Sequence, residues 1–206
     1  MAEDLVWFST RLHHHLDPYL SLTETHVQSL FSHYELLVRW NRKMNLTSIR
    51  SPEEIVVRHY CESLFFAANV PEGWSDFADI GSGAGFPGVP MAVLRPDWQV
   101  MLVESHQRKA VFLRESTRLL GNVSVVAERA EALNRLFGAI VSRAVDPEEI
   151  LSLVARLGNR VGLLVGSADF ESLHGRTVVA WESVTAVPWG DRRVCAFGGT
   201  PVPRGT

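Results

Sequence analysis

Cysteine, lysine and long apolar runs are all scarce in this chain of 206 residues. The two cysteines, Cys61 and Cys195, form no CxxC pair. That excludes a disulfide-stapled secreted scaffold and a thiolate metal site, and the pair reads as reduced thiols of a cytosolic protein, with a single disulfide left open. No apolar run is long enough to cross a bilayer. The opening MAEDLVWFST has no basic stretch before an apolar core, so no secretory signal and no membrane association are expected. Only Lys43 and Lys109 are lysines among the 20 basic residues; the rest are arginines. Arginine suits phosphate and base edges, but a GC-rich genome gives the same bias, and that reading is taken here. A net charge of −3 gives no global pull toward nucleic acid. His13, His14 and His15 cannot share one helix face, so they are read as a frayed amino terminus and no metal site is expected.

What is present falls into two patterns. The first seventy residues read as helical. Ser21 and Glu24 give a capping box, followed by Val27, Leu30, Phe31, Tyr34, Leu37 and Val38 at helical spacing. Ser51-Pro52-Glu53-Glu54 starts a further helix, and NRKMNLTSIR, residues 41 to 50, joins the two. From Trp74 short apolar runs alternate with helical patterns, the sign of a parallel sheet covered on both faces. TVVAWESVTAV and RRVCAF, separated by PWGD, predict an antiparallel hairpin at the sheet edge. The expected fold is α/β, a doubly wound Rossmann-like domain over 71–206 with a helical extension over 1–70.

The densest signal is FADIGSGAGFPGVP, residues 77 to 90, a glycine loop between a strand and a helix. It lacks the Gly-Lys-Ser/Thr ending of a P-loop. In the dinucleotide pattern G-x-G-x-x-G the third glycine would stand where Phe86 does. The run is instead D-x-G-x-G-x-G, with Asp79, Gly81, Gly83 and Gly85. A pyrophosphate wants free N–H groups and no carboxylate. Asp79 beside the loop and Pro87, which removes an N–H, suit a ligand with a cationic ammonium and sulfonium. Glu104 closes the next strand, WQVMLVE, where an acidic residue hydrogen-bonds ribose hydroxyls. Together they point to S-adenosylmethionine.

From about Val38 to Val165 the chain resembles the RsmG (GidB) family, which methylates N7 of a guanine in bacterial 16S ribosomal RNA. The resemblance rests on WNRKMNLTSIRSPEEIVVRHYCESL, DIGSGAGFPGVPMAVLRP, VESHQRKAVFLRE and IVSRAV. It implies a class I S-adenosylmethionine-dependent methyltransferase. It implies that the cofactor lies on Gly81, Gly83 and Phe86, its ribose on Glu104, and its adenine near Ala130 and Glu131. Arg143 of the SRA motif would stand at the cofactor and substrate mouth as the catalytic residue, gripping a phosphate or guanine O6. The substrate RNA would cross Arg42, Lys43, Asn45, Thr47, Arg58 and His59. Where the family usually has a lysine after the fifth strand, this chain has Val165, and the segment from Asp169 onward matches only loosely.

The resemblance further implies a cytoplasmic monomer acting on the small ribosomal subunit. N7 carries a lone pair and no proton at neutral pH, so no general base is required. Three other readings stay beside this one: a methyltransferase fold with a changed substrate, a nicotinamide-dependent oxidoreductase disfavoured by Phe86 and Asp79, and a non-catalytic RNA-binding module. His59 is read equally as a buried, hydrogen-bonded side chain or as a substrate-side one, and Trp40, Trp74 and Trp98 as packing residues.

Overall fold

The computed structural model describes residues 4–173, 178–189 and 192–201. Seven strands form one sheet in the order β3-β2-β1-β4-β5-β7-β6. They are β1 (Asp76–Ile80), β2 (Gln99–Val103), β3 (Val123–Val126), β4 (Ala139–Arg143), β5 (Arg160–Gly166), β6 (Ala180–Ala186) and β7 (Arg193–Gly199). The first five run parallel, while β7 is antiparallel to β5 and β6 to β7. This is the class I methyltransferase arrangement, with the predicted hairpin in place; Gly190 and Asp191 of its PWGD turn lie outside the described residues. Strand order reverses between β1 and β4, and such a switch point opens a crevice beyond the carboxyl ends of the strands.

The amino-terminal helices are α1 (Leu5–Leu16), α2 (Glu24–Asn41), α3 (Pro52–Ile55), a π-helical turn (Val56–Cys61) and α4 (Glu62–Ala68). Residues 13 to 15 are not frayed. They belong to α1, which Asp4 caps and which buries Phe8, Leu12 and Leu16 at four-residue spacing. The cap of α2 is Thr23 rather than Ser21: its hydroxyl accepts the His26 N–H at 3.2 Å, and the His26 ring accepts the Thr23 N–H in return. Ser51 caps α3 as expected.

Two apolar cores cover the two faces of the sheet. One runs from Phe8 and Leu30 through Phe65 to Phe77, Leu102, Val141 and Phe197, so the helical extension and the sheet share a core. α5 (Gly88–Leu94) and α6 (Gln107–Ser116) pack on this side as well. The second core joins Ala78, Ile80, Ile140, Leu163 and Ala196 to α7 (Pro147–Leu153) and α8 (Ser167–Glu171). Trp74 and Trp98 are buried on the first face, and Trp40 packs edge-on to Phe112. Cys61 and Cys195 are free and buried, and burial pushes both thiols well up. Among the described residues no helix is long and apolar enough to cross a membrane.

The two-residue period of the strands decides which polar groups meet. On β1, Phe77 and Asp79 face the helical cap, while Ala78 and Ile80 face the second core. β4 pairs in parallel with β1, placing Val141 beside Asp79, so Arg143 faces the cap too. β7 lies in antiparallel register with β5, Cys195 opposite Leu164 and Arg193 opposite Gly166, and Arg193 shares that face.

Candidate functional site

The glycine loop begins at the switch point. Gly81, Gly83 and Gly85 have φ of +70°, +57° and +94°, a region that favours glycine. Space around them differs. A Cβ on Gly85 would lie 2.6 Å from Val89 Cγ2, and one on Gly88 2.6 Å from Asp79 Oδ2. A Cβ on Gly83 would meet nothing nearer than 3.8 Å. Gly83 is thus where a ligand has room to reach the main chain.

Glu104 holds this loop. One carboxylate oxygen accepts the Gly83 N–H at 2.9 Å, the other the His106 N–H at 2.7 Å. A carboxylate offers about four lone-pair sites, so acceptor capacity remains for two further donors. Beside it lies a cleft of about 180 Å³, with Ile80, Val103, Ala130 and Val145 among its apolar walls. Glu128, Glu131 and Glu149 stand on its rim against Arg129. Arg156 fixes the far wall by donating to the Ala130 and Leu133 carbonyls at 2.8 and 3.0 Å.

Asp79, Gly85 and Phe86 are not among the residues that line this cleft. Asp79 is fully buried under α5, where Oδ2 accepts the Gly88 N–H at 3.0 Å. Burial pushes its carboxyl up to about 7, against the Gly88 hydrogen bond, which lowers it. Strand parity turned the side chain inward. The acidic character that disfavours a pyrophosphate comes instead from Glu104 and the rim glutamates. Phe86 is buried and stacks on His59 with ring centres 4.6 Å apart and planes inclined by 15°.

Arg143 does not line this cleft either. Its guanidinium turns away from the cleft, with Nη1 2.7 Å from His59 Nδ1 and Nη2 3.3 Å from Glu62 Oε2. Burial lowers its pKa to about 10, with Glu62 opposing the fall. Arg193 Nε reaches the same Glu62 oxygen at 3.5 Å. Arginine is donor-only, so His59 Nδ1 accepts and Nε2 carries the proton, which it donates to Thr47 Oγ1 at 2.8 Å. His59 stays neutral because burial, then the Arg143 charge, hold its pKa well below the ordinary value. The π-helical turn carries His59 and Arg58, and such turns often occur at functional sites.

The NLT segment ends this chain of contacts. The Thr47 N–H donates to Asn41 Oδ1 at 3.0 Å, and Arg50 donates to Asn45 Oδ1 at 2.7 Å. Asn45 and Thr47 therefore shape their loop, while Arg42 and Lys43 are exposed beside it. Glu62 and Arg193 were not found from sequence. Glu62 had a signal, an acid set three residues after His59 in the apolar run CESLFFAA; Arg193 had none. Immediately after Arg143, Ala144 adopts φ +61°, a strained value for a non-glycine residue. Among the described residues, no three His, Cys, Asp or Glu side chains are grouped to hold a metal ion.

Residues 26–168 match the GidB family, described as rRNA small subunit methyltransferase G. The chain belongs to that family. A ribosomal RNA small subunit methyltransferase G of Nitrosospira multiformis is 43% identical over 143 residues, 67% of this chain and 65% of the relative. One from Xylella fastidiosa strain M23 is 47% identical over 131 residues, 62% and 61% of the two chains. This chain thus aligns with under two thirds of either relative's length. One from Xanthomonas euvesicatoria is 43% identical over 174 residues, 82% and 78%. Among solved structures, magnesium protoporphyrin IX methyltransferase from Synechocystis with bound SAM superposes with TM-score 0.56 at 13% identity, covering 88% of this chain and 99% of that one. A putative RNA methyltransferase from Pyrococcus horikoshii gives 0.53 at 13% identity, covering 83% and 100%. These two share the fold.

Proposed function

We propose that this family member transfers a methyl group from S-adenosylmethionine to N7 of a guanine in 16S ribosomal RNA of the cytoplasmic small subunit. Family membership and the names of its relatives support the reaction and the substrate class. The observation that carries the cofactor is the Glu104-clamped glycine loop beside an apolar cleft with an acidic rim, at the switch point of the sheet. A dinucleotide pyrophosphate fits that rim poorly, and a cationic amino acid with an attached nucleoside fits it well.

In this reading Glu104 takes the ribose hydroxyls on its remaining lone pairs. Gly83 admits the amino-acid end, with Gly81 beside it under Val145, and Ala130 and Glu131 border the adenine. When bound, S-adenosylmethionine supplies an electrophilic methyl on a sulfonium. The protein has no proton to remove from N7, so its work is alignment, which lowers the barrier by about 7–11 kcal/mol when the reactants are well placed. Arg143 acts as a positioning residue: held by His59 and Glu62, it fixes the strained turn at Ala144 that borders the mouth. Arg42, Lys43 and Arg58 meet phosphates, and Asn45, Thr47 and His59 keep their loop in shape.

The test is tritiated methyl transfer to small subunits from a strain lacking this modification, with N7 mapped by aniline cleavage. Transfer to a single guanine is expected. Glu104→Gln should weaken cofactor binding, measured by calorimetry, by on the order of 10- to 100-fold, the loss of charge-assisted hydrogen bonds. Cofactor binding without transfer to subunits or free RNA would show that the substrate has changed, and RNA binding without cofactor binding would leave a non-catalytic module.

A further inference from the structure

A second cleft opens beyond the carboxyl ends of β4 and β5. It holds about 160 Å³ and is lined by Arg58, Val145, Pro147, Val165, Asp169 and Arg193 among others. Asp169 and Arg193 lie outside the residues that match the family. We propose that this cleft receives the target guanine, with Asp169 accepting from its N1–H and N2–H groups and Arg58 and Arg193 meeting the adjoining phosphates. The proposal rests on the methyl-transfer reading above.

Position comes first. Val145 lines both this cleft and the cofactor cleft. It leans over Gly81, where a Cβ would come within 2.5 Å of Val145 Cγ2, and it follows the strained Ala144. Val145 is therefore common to both clefts, and a base edge in the second lies next to the first. Val145, Pro147 and Val165 supply apolar contacts for a planar ring.

Recognition chemistry then selects the base. Guanine alone among the four RNA bases presents two adjacent donors, N1–H and N2–H, and one carboxylate can accept both. Asp169 is exposed, and its side chain makes no hydrogen bond or ion pair with another described residue. Its Oδ2 would lie 2.9 Å from a Cβ on Gly166, so glycine there leaves the carboxylate room at the cleft. With N1 and N2 on Asp169, N7 lies on the opposite side of the purine, free of protein donors. On transfer the N7 lone pair becomes an N–C bond, the S–C bond of the sulfonium donor breaks, and the positive charge passes from sulfur to the purine. A carboxylate on the N1 edge favours that charge more strongly in the transition state than in the ground state.

The arginines suit a different part of the substrate, because a guanidinium against the base would oppose the same charge. Arg193 leans on buried Glu62 with its side chain 23% exposed, and Arg58 stands on the π-helical turn at the other wall. A wider groove of about 460 Å³ adjoins past Asp169 and carries Asp146 and Glu148. Those carboxylates repel phosphates, so the RNA backbone passes on the Arg58 and Arg193 side.

The test uses the full chain saturated with S-adenosylhomocysteine, titrated with guanosine, inosine and adenosine 5′-monophosphates and followed by NMR. Inosine lacks only the N2 amino group. Guanosine monophosphate should bind on the order of 10- to 100-fold tighter than adenosine monophosphate, with inosine monophosphate between them. Asp169→Asn and Asp169→Ala should erase that order without lowering Tm. Equal binding of the three, a preference that survives both substitutions, or no binding at all would overturn the pocket. Methyl transfer to subunits, measured on the same proteins, separates the two claims. Transfer to one guanine that Asp169→Ala leaves unchanged removes the pocket and keeps the reaction. Guanine preference lost in Asp169→Asn, with no transfer by the parent protein, keeps the pocket and removes the reaction.

Discussion

The two faces of the sheet bury different kinds of residue. Under the helical cap lie Asp79, Glu62, Arg143, His59 and His33, all within 8% of full burial. On the other face β1, β4, β5 and β7 meet α7 and α8 through Ile80, Ile140, Leu163 and Ala196, with Ser142 bonded to the Ile80 carbonyl at 2.9 Å. Hydrophobic burial holds both faces together. Ion pairs taken out of water add little net stability. What the cap face gains is direction: a continuous set of bonds from Thr47 through His59 and Arg143 to Glu62 ties the NLT loop to the end of β4. One face supports the fold, and the other also fixes where the loops stand.

That contrast is broken most directly at Glu62. Glu62→Gln leaves Arg143 and Arg193 without their shared countercharge, and stability should fall by about 3–5 kcal/mol, the cost of stripping one partner from a buried pair. Urea unfolding measures it, and a loss below 1 kcal/mol would mean the arginines are held by something else. Leu163→Ala, on the apolar face and fully buried, should cost about 2–5 kcal/mol through cavity formation. Its signature is different. Leu163 lies off the cofactor cleft, whose walls Ile80, Val103 and Ala130 belong to the same core. Cofactor affinity by calorimetry should therefore be unchanged, and a fall would show that the cavity relaxes as far as those walls.

The architecture was legible in the sequence because strand, helix and hairpin patterns are local. So were the glycine loop and Glu104, since the constraint on each is carried by its own neighbours. The helical pattern of the first seventy residues covers α1, but His13, His14 and His15 read as frayed, because three consecutive histidines share no helix face, although Phe8, Leu12 and Leu16 recur every four residues. Asp79 and Arg143 were found, but the face of the sheet that each occupies was not legible. Both stand at strand ends, where either face gives access to ligand or core, and only the register between β1 and β4 decides. Arg193 was invisible because it joins Glu62 through a pairing of β7 with β5, which sequence spacing does not reveal.

A smaller effect separates the faces by pH. Folded Asp79 keeps its proton to about pH 7, while its unfolded value is 3.8. Between the two the unfolded chain binds fewer protons at this site, so the stability it contributes falls as pH rises through that window. His33 works in the opposite sense: burial lowers it from 6.5 to about 4, so its contribution rises with pH over that range. Asp79→Asn removes only the first effect. Relative to the parent, the variant should gain on the order of 1–3 kcal/mol between pH 5 and pH 8. An unchanged difference would show that Asp79 titrates as an ordinary carboxyl.

The smallest change tests whether the cap-face bonds act together. Thr47→Val removes the acceptor of the His59 Nε2 proton and of the Ile49 N–H, and should cost about 1 kcal/mol alone. Residues in one hydrogen-bonded network couple by about 0.5–3 kcal/mol, and distant sites add within about 0.3–0.5. Combined with Glu62→Gln, Thr47→Val should therefore cost clearly less than the sum of the singles, since the first change already loosens Arg143 and His59. Combined with Leu163→Ala it should simply add. Additivity in both pairs would mean that the bonds from Thr47 to Glu62 are neighbours in space without being a unit, and the loop would then be oriented by packing alone.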